Sequence, residues 1–172
     1  MTDLFRERRC VREYLDKPIE QENLDRIMEA ANWAPTAGNC QEIEFIIVRE
    51  RDLKDKLYDY CREQEQLKEA DVVIVICANL DKIRRYGRRG EELYSKIDTG
   101  ITVQNIALKA WELGVGSCYI GSFDDEAVTQ LLDLPANVMP MMIMTLGYPD
   151  EKPESHRENI SEKLFKERYG ST

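Results

Sequence analysis

The chain has 172 residues, 42% hydrophobic and 33% charged, a composition of folded rather than disordered proteins, and its length fits one domain, 1–172, with a real core. A formal net charge of −9 repels nucleic acid and anionic membranes, so neither is an expected partner and any anion site must come from locally clustered cations. No run approaches the roughly 18 apolar residues of a membrane span, and the opening MTDLFRERRC lacks the apolar centre of a signal peptide, so the expected location is cytoplasmic.

In chain order, RERRCVREY first gathers Arg6, Arg8, Arg9 and Arg12. Arginine's planar fork matches phosphate oxygens two at a time, although this segment taken alone reads rather as a solvated helix end. Leu24, Ile27, Met28, Ala31 and Ala34 recur at helical spacing, predicting a helix over 20–34 that Pro35 ends. A polar loop with two amides, Asn39 and Gln41, leads into a strand expected at 45–49. Residues 51–67 read as one exposed amphipathic helix, and DVVIVICANL as a central strand buried on both faces.

KIRRYGRRGEE is expected to be a charged surface loop or broken helix. From Ile97 to Leu113 apolar residues occupy nearly every side, which predicts a helix buried all round, by an internal sheet or by a partner subunit. Gly114 then suits a left-handed C-cap. SCYIGSF and MMIMTLGYP supply two more strands, joined through a helix at 124–132 that Asp124 or Asp125 caps, and ISEKLFKERYG ends the chain as a short helix or arm. The irregular interleaving makes the fold class α+β.

Several chemistries drop out. The five cysteines form no CxxC pair and His156 is the sole histidine, which removes multi-histidine metal sites and leaves free thiols, with Cys77 and Cys118 as small buried hydrophobes. No GxxxxGK[ST] or GxSxG occurs, and GVGS ends a helix and precedes a strand, the reverse of a dinucleotide-binding turn.

Three segments together, in order, resemble the nitroreductase-like FMN-dependent flavoprotein family: RRCVREY, APTAGNCQ, and DTGITVQNIALKAWELGVGSCYIGSFDDEAV, with LGYPDEKPESHRENI as a similar tail. The resemblance implies a mixed, mostly antiparallel sheet flanked by helices, a long buried central helix, and an intertwined homodimer with FMN at the interface. It implies that Arg8, Arg9 and Cys10 hold the phosphate and ribityl chain, that Arg12 faces the N1 and C2 carbonyl edge, and that Arg157 closes on the phosphate. Thr36, Ala37 and Asn39 would contact the flavin across the interface, with Gln41 bracing their turn. Ile120, Gly121 and Ser122 would lie against the ring, the last two offering backbone amides to N5 and O4, with glycine permitting the approach.

The implied activity is ping-pong transfer of hydride from NADH or NADPH through flavin N5 to an electron-poor small molecule, nitroaromatic or quinone. The flavin carries the redox chemistry, so no catalytic side chain is assigned. Alternatives are a non-catalytic flavin-binding sensor or carrier, or a specialised flavin-dependent reductase such as a dehalogenase. For the latter, Tyr86 and Tyr94 are the aromatic candidates, read as ordinary packing. The chain departs from the family pattern at Cys10, where serine is usual, and at Glu42, where proline is usual; Glu42 and Cys40 stand where they would alter the substrate side.

Overall fold

The computed structural model describes residues 3–171. Strands β1 (Ile43–Val48), β2 (Val72–Asn79), β3 (Gly116–Ile120) and β4 (Val138–Gly147) form one sheet in the order β1-β2-β4-β3, each neighbouring pair antiparallel. Side chains alternate across a strand, and β2 uses both faces. Val72, Ile74 and Ile76 join Leu24, Ile27 and Ile106 on one side, while Val73, Val75 and Cys77 join Leu57, Leu67 and Val128 on the other. An unbroken apolar run is what a strand covered twice requires. The parallel contribution is confined, among the described residues, to a bridge between Cys10 and Ser117.

Short α1 (Leu4–Glu7) opens the described chain, and α2 (Gln21–Asn32) lies where its apolar spacing predicts. The expected 51–67 helix is two: α3 (Arg51–Tyr60) and α4 (Gln66–Glu69). Arg62 and Glu63 take φ of 58° and 55° between them, a left-handed turn that lets Leu57, Cys61 and Leu67 enter one core. The basic segment is a broken helix, with α5 (Leu80–Ile83), a 3-10 turn, α6 (Gly87–Arg89) and a π turn at Gly90–Tyr94. Its cations meet local partners: Lys82 with Glu44 at 2.8 Å, Arg84 with Asp81 at 3.1 Å, and Arg88 with Glu92 at 2.7 Å. Tyr86 and Tyr94 pack edge to face, centroids 5.3 Å apart.

The long α7 (Ser95–Glu112) is not buried all round within its own chain. Asp98, Thr99, Thr102, Val103, Ile106 and Ala110 form the buried stripe, whereas Ile97 is 48% exposed and Ile101, Leu108 and Trp111 are half-buried. Gly114 caps it at φ 74°, its N–H reaching Trp111 O at 3.0 Å. Helix α8 (Asp125–Leu131) follows, with the Asp124 carboxylate accepting from Ala127 N at 3.0 Å. Strand β3 stops at Ile120, before the expected Phe123. Strand β4 starts earlier than expected because Pro140, lacking an N–H, sits at a register shift opposite Cys77, where a bulge relieves the missing bond. The final segment is a 3-10 turn at Ile160–Lys163 followed by irregular chain, with Ile160, Leu164 and Tyr169 at 65%, 60% and 93% exposure.

One contact set matters most for the site. Residues 10–15 lie along β3 and the segment after β4: Val11 N donates to Ser117 O, Leu15 N to Tyr148 O, and Asp150 N to Glu13 O, each at 2.9 Å. Gly116 and Gly147 make this approach possible, since a Cβ at Gly147 would stand 2.6 Å from the Tyr14 ring and one at Gly116 2.8 Å from Val11. The Tyr14 hydroxyl secures the clamp, donating to Val11 O at 2.6 Å and pairing with Thr145 Oγ1 at 2.8 Å.

Candidate functional site

Pinned in this way, the N-terminal arginines meet the segment that follows Pro149. Arg8, Arg9, Cys10, Arg12 and Arg157 line one cavity of about 250 Å³, together with Tyr119, Pro153, Glu154 and Ser155. None of the ion pairs among the described residues engages any of these four guanidinium groups. Their contacts are neutral or backbone: Arg9 donates to Arg8 O at 3.0 Å, and Arg157 to Ser155 Oγ at 2.6 Å and His156 O at 2.8 Å. Arg8 reaches Cys10 Sγ at 3.8 Å, and the backbone N–H of Arg12, not its guanidinium, donates to the Glu151 carboxylate. Four cations gathered without matched carboxylates in a chain of net charge −9 make a local site for an anion with several acceptor oxygens. Phosphate fits that donor set.

Cys10 is part of this electrostatic arrangement. Its thiol is lowered to about 5, chiefly by a hydrogen bond from Cys118, with further help from Arg8 and Tyr119 and against the effect of burial. Cys118, which keeps the proton, is pushed far up. It is buried, as expected, with its thiol donating to Tyr119 O at 3.8 Å.

The second group, Thr36 to Gln41, is a shaped loop. Gly38, Asn39 and Gln41 take φ of 52°, 58° and 52°, so three left-handed residues are held within four positions. The restraints are visible: Ala37 N donates to Asp98 Oδ2 at 2.7 Å, Gln41 N to Thr36 Oγ1 at 3.0 Å, and Gln41 Nε2 to Asn39 Oδ1 at 3.2 Å. Arg85 donates to Gly38 O from outside the turn. Thr36 and Gln41 line a separate cavity of about 220 Å³, with Phe45, Lys82 and Thr102. Within one chain this cavity shares no lining residue with the arginine cavity.

Glu42 follows the loop and is fully buried, not on an open substrate face. Neither of its carboxylate oxygens finds a donor among the described residues. Its neighbour is Asp98, only 4% exposed, and two carboxylates share a hydrogen bond only when one holds a proton. Burial first, then that hydrogen bond and the Asp98 charge, raise Glu42 from 4.5 to about 7, against its backbone bond and Lys82. Cys40 is half-buried.

Ile120 is 1% exposed and faces the core, so only its backbone is available at the end of β3. Gly121 and Ser122 lie just beyond it and are exposed. Nothing within the chain demands glycine at 121: a Cβ there would rest at an ordinary 3.7 Å from Met142 Sδ. A larger cavity, about 600 Å³, lies between residues 14–18 and α3–α4. It holds none of the expected site residues, and its cations, Lys17, Arg51, Lys54 and Lys68, face as many carboxylates, Asp16, Glu65, Glu69 and Asp71.

Comparison with known proteins settles the family. The model of the nitroreductase family matches residues 5–69 and 62–148, most of the chain. The chain belongs to the nitroreductase family. An Archaeoglobus fulgidus protein provisionally named NADH dehydrogenase/NAD(P)H nitroreductase is 35% identical over 150 residues, covering 84% of this chain and 83% of that protein. The FMN reductase [NAD(P)H] of Bacillus subtilis is 28% identical over 158 residues, covering 84% of this chain and 64% of the reductase. Among solved structures, a nitroreductase family protein from Clostridium difficile superposes with a TM-score of 0.85 at 30% identity, covering 96% of each chain.

For a nitroreductase-family chain, then, the sequence motifs fall into two spatial groups, the arginine cavity and the loop, with Ile120 to Ser122 at and just past the end of β3 beside the first. Sequence reasoning missed Tyr119 and Asp98. Tyr119 was within reach: Cys118 and Ile120 point inward, so the residue between them must point out, and it lines the cavity at 37% exposure. Asp98 gave no signal, because it acts on Ala37 from 61 residues away.

Proposed function

We propose that this chain is an FMN-dependent NAD(P)H oxidoreductase that works as a homodimer, with FMN at the interface and an electron-poor small molecule as acceptor. The carrying observation is the cavity of four arginines without carboxylate partners, which fits the phosphate end of FMN. Support also comes from the names of relatives, among them an FMN reductase and an NADPH nitroreductase. FMN held there would supply the redox chemistry, hydride transfer from NAD(P)H by way of N5 to a nitroaromatic or quinone acceptor in ping-pong order.

The chain's residues supply binding and charge. Arg8, Arg9 and Arg157 would neutralise the phosphate, and Arg12 would offer a cation to the N1 and C2 carbonyl edge, where reduction places negative charge. The N–H groups of Gly121 and Ser122 serve N5 and O4. The second copy would bring its loop 36–41 to the flavin, and solvent would supply product protons. Dimerisation is favoured by the apolar side chains left uncovered, Trp33 at 77%, Ile97 at 48% and Ile160 at 65% exposure.

The purified protein should be yellow, with a solution mass twice the 20.0 kDa of one chain. Arg12→Ala should slow flavin reduction by NAD(P)H in stopped flow more than it weakens FMN binding, and Arg8→Ala should do the reverse. A colourless protein that takes up no added FMN refutes the proposal. One that binds FMN but turns over no acceptor with either nicotinamide is a carrier, and the enzymatic part falls.

A further inference from the structure

The basic segment 82–89 holds two kinds of cation. Lys82, Arg84 and Arg88 are matched by the carboxylates of Glu44, Asp81 and Glu92. Arg85 and Arg89 enter none of the ion pairs among the described residues. Each lies instead against a tyrosine. The Arg85 guanidinium carbon is 5.1 Å from the centre of the Tyr86 ring, and that of Arg89 is 5.5 Å from the centre of the Tyr94 ring. Because the two rings pack edge to face, these are two cations flanking one aromatic pair.

The cluster is held from two sides. Gly90 is buried, and a Cβ there would stand 2.8 Å from Ile83 O and 2.9 Å from the Tyr86 Cβ, so the turn carrying Tyr94 closes tightly on the turn carrying Tyr86. On the other side Arg85 donates to Gly38 O, and a Cβ at Gly38 would run into the Tyr86 hydroxyl. The cluster therefore stands against loop 36–41. Both arginines and Tyr86 are exposed. Among the described residues Arg85 donates only through Nη2, and Arg89 only through Nε, to the Tyr94 hydroxyl at 3.1 Å. The remaining N–H groups of both forks are uncommitted.

We infer that Arg85 and Arg89 bind the 2′-phosphate of NADPH and so make the protein prefer NADPH to NADH. The inference rests on the oxidoreductase reading above, in which this loop reaches the flavin of the second copy. The two nicotinamide nucleotides differ by one phosphate monoester, which carries close to two negative charges and three acceptor oxygens. A chain of net charge −9 repels that group unless cations compensate it locally. A guanidinium meets two phosphate oxygens at once and also stacks on an aromatic face, the setting Arg85 and Arg89 share. Arg84 and Arg88 offer less, because a phosphate would have to displace Asp81 or Glu92. Tyr86, 38% exposed, leaves ring surface open to the adenine.

The test titrates 2′,5′-ADP and, separately, 5′-ADP into the purified full-length protein by calorimetry, with FMN saturating so that the arginine cavity is filled. 2′,5′-ADP should bind about tenfold or more tightly than 5′-ADP, and Arg85→Ala or Arg89→Ala should remove most of that difference. In turnover, the NADPH-to-NADH ratio of kcat/KM should fall about tenfold in Arg89→Ala, through KM rather than kcat. Arg89→Ala is the deciding variant, because Arg85 also holds Gly38. Arg84→Ala and Arg88→Ala remove the same charge and should leave both ratios unchanged. Equal binding of the two nucleotides, with equal use of NADH and NADPH, overturns the inference and leaves the oxidoreductase reading standing. An equal fall in all four variants also overturns it, since net charge alone would then be at work. Preference for 2′,5′-ADP that is lost in Arg89→Ala, in a protein that oxidises neither nicotinamide, keeps the phosphate site and removes the enzymatic reading.

Discussion

Replacing Glu42 with glutamine should make the protein more stable above neutral pH while leaving it little changed at pH 5. The carboxyl titrates at about 7 in the folded chain instead of 4.5, because it is buried and faces Asp98. A raised carboxyl favours folding while it holds its proton, and that stability disappears as pH rises from the unfolded value through the folded one. Each pH unit over which only the folded chain holds the proton is worth about 1.4 kcal/mol, so the loss between pH 5 and 8 amounts to about 2.5 kcal/mol. Glutamine has the same shape, donates to Asp98 without titrating, and loses nothing over that range.

Urea unfolding at pH 5 and pH 8 measures this directly. With a urea slope of about 2 kcal/mol per molar, the midpoint of Glu42→Gln minus that of wild type should grow by roughly 1 M between the two pH values. The difference between the proteins is the informative quantity, because Cys10 titrates in the same window with opposite sign. Lowered to about 5, it adds stability as pH rises above that value and cancels only in the comparison. Glu20, Glu44 and Glu112 are lowered below 4.5, so their contributions fade only at more acid pH. If the two midpoints run parallel from pH 5 to 8, Glu42 is not a buried proton holder and the account of its pairing with Asp98 is wrong.

Two further substitutions probe the clamp that positions the arginines. Gly147→Ala would put a Cβ 2.6 Å from the Tyr14 ring, which is only 8% exposed and held by its hydroxyl, so an overpacking cost of about 1–3 kcal/mol is expected in urea unfolding; an unchanged midpoint would mean the N-terminal segment lifts freely. Tyr14→Phe should cost about 1–2 kcal/mol by leaving Val11 O and Thr145 Oγ1 without this partner, read as a melting temperature lower by about 2–8 °C. No change in melting temperature would show that water replaces the hydroxyl.

What was legible in the sequence was local or repeated. The apolar run of β2 announced a strand packed on both faces, and the spacing of Leu24, Ile27 and Ala31 announced the buried face of α2. Gly114 and Asp124 were readable as caps because capping is chemistry within one turn. Contacts across the chain were not readable. The strand read from Met141 starts at Val138, because a bulge admits Pro140, and Arg62 and Glu63 carry no residue type that signals a left-handed turn. Glu42 was read as a substrate-side residue because it stands where the family usually has proline; its pairing with the buried Asp98 on α7, 56 residues on, gave no local signal. The arginines were ambiguous as a segment and became a site only through residues 153–157, which reach them by way of the β3–β4 edge.

The position of the two groups on the sheet gives the proposed dimer its reason. Loop 36–41 precedes β1, whereas the arginine cavity is built on β3, and these are the two opposite edges of the order β1-β2-β4-β3. Three strand spacings separate such edges, about 14 Å of packed core. No flexible hinge would let the loop swing across, because Asp98 on α7 holds Ala37 and the left-handed turn is bonded within itself. A bound molecule that touches both groups must therefore take its loop from a second copy. Neither half is idle in isolation: one concentrates cations in an acidic chain, and the other presents a fixed turn with its amides exposed. A chain that separates rigid parts of one site in this way makes binding depend on pairing.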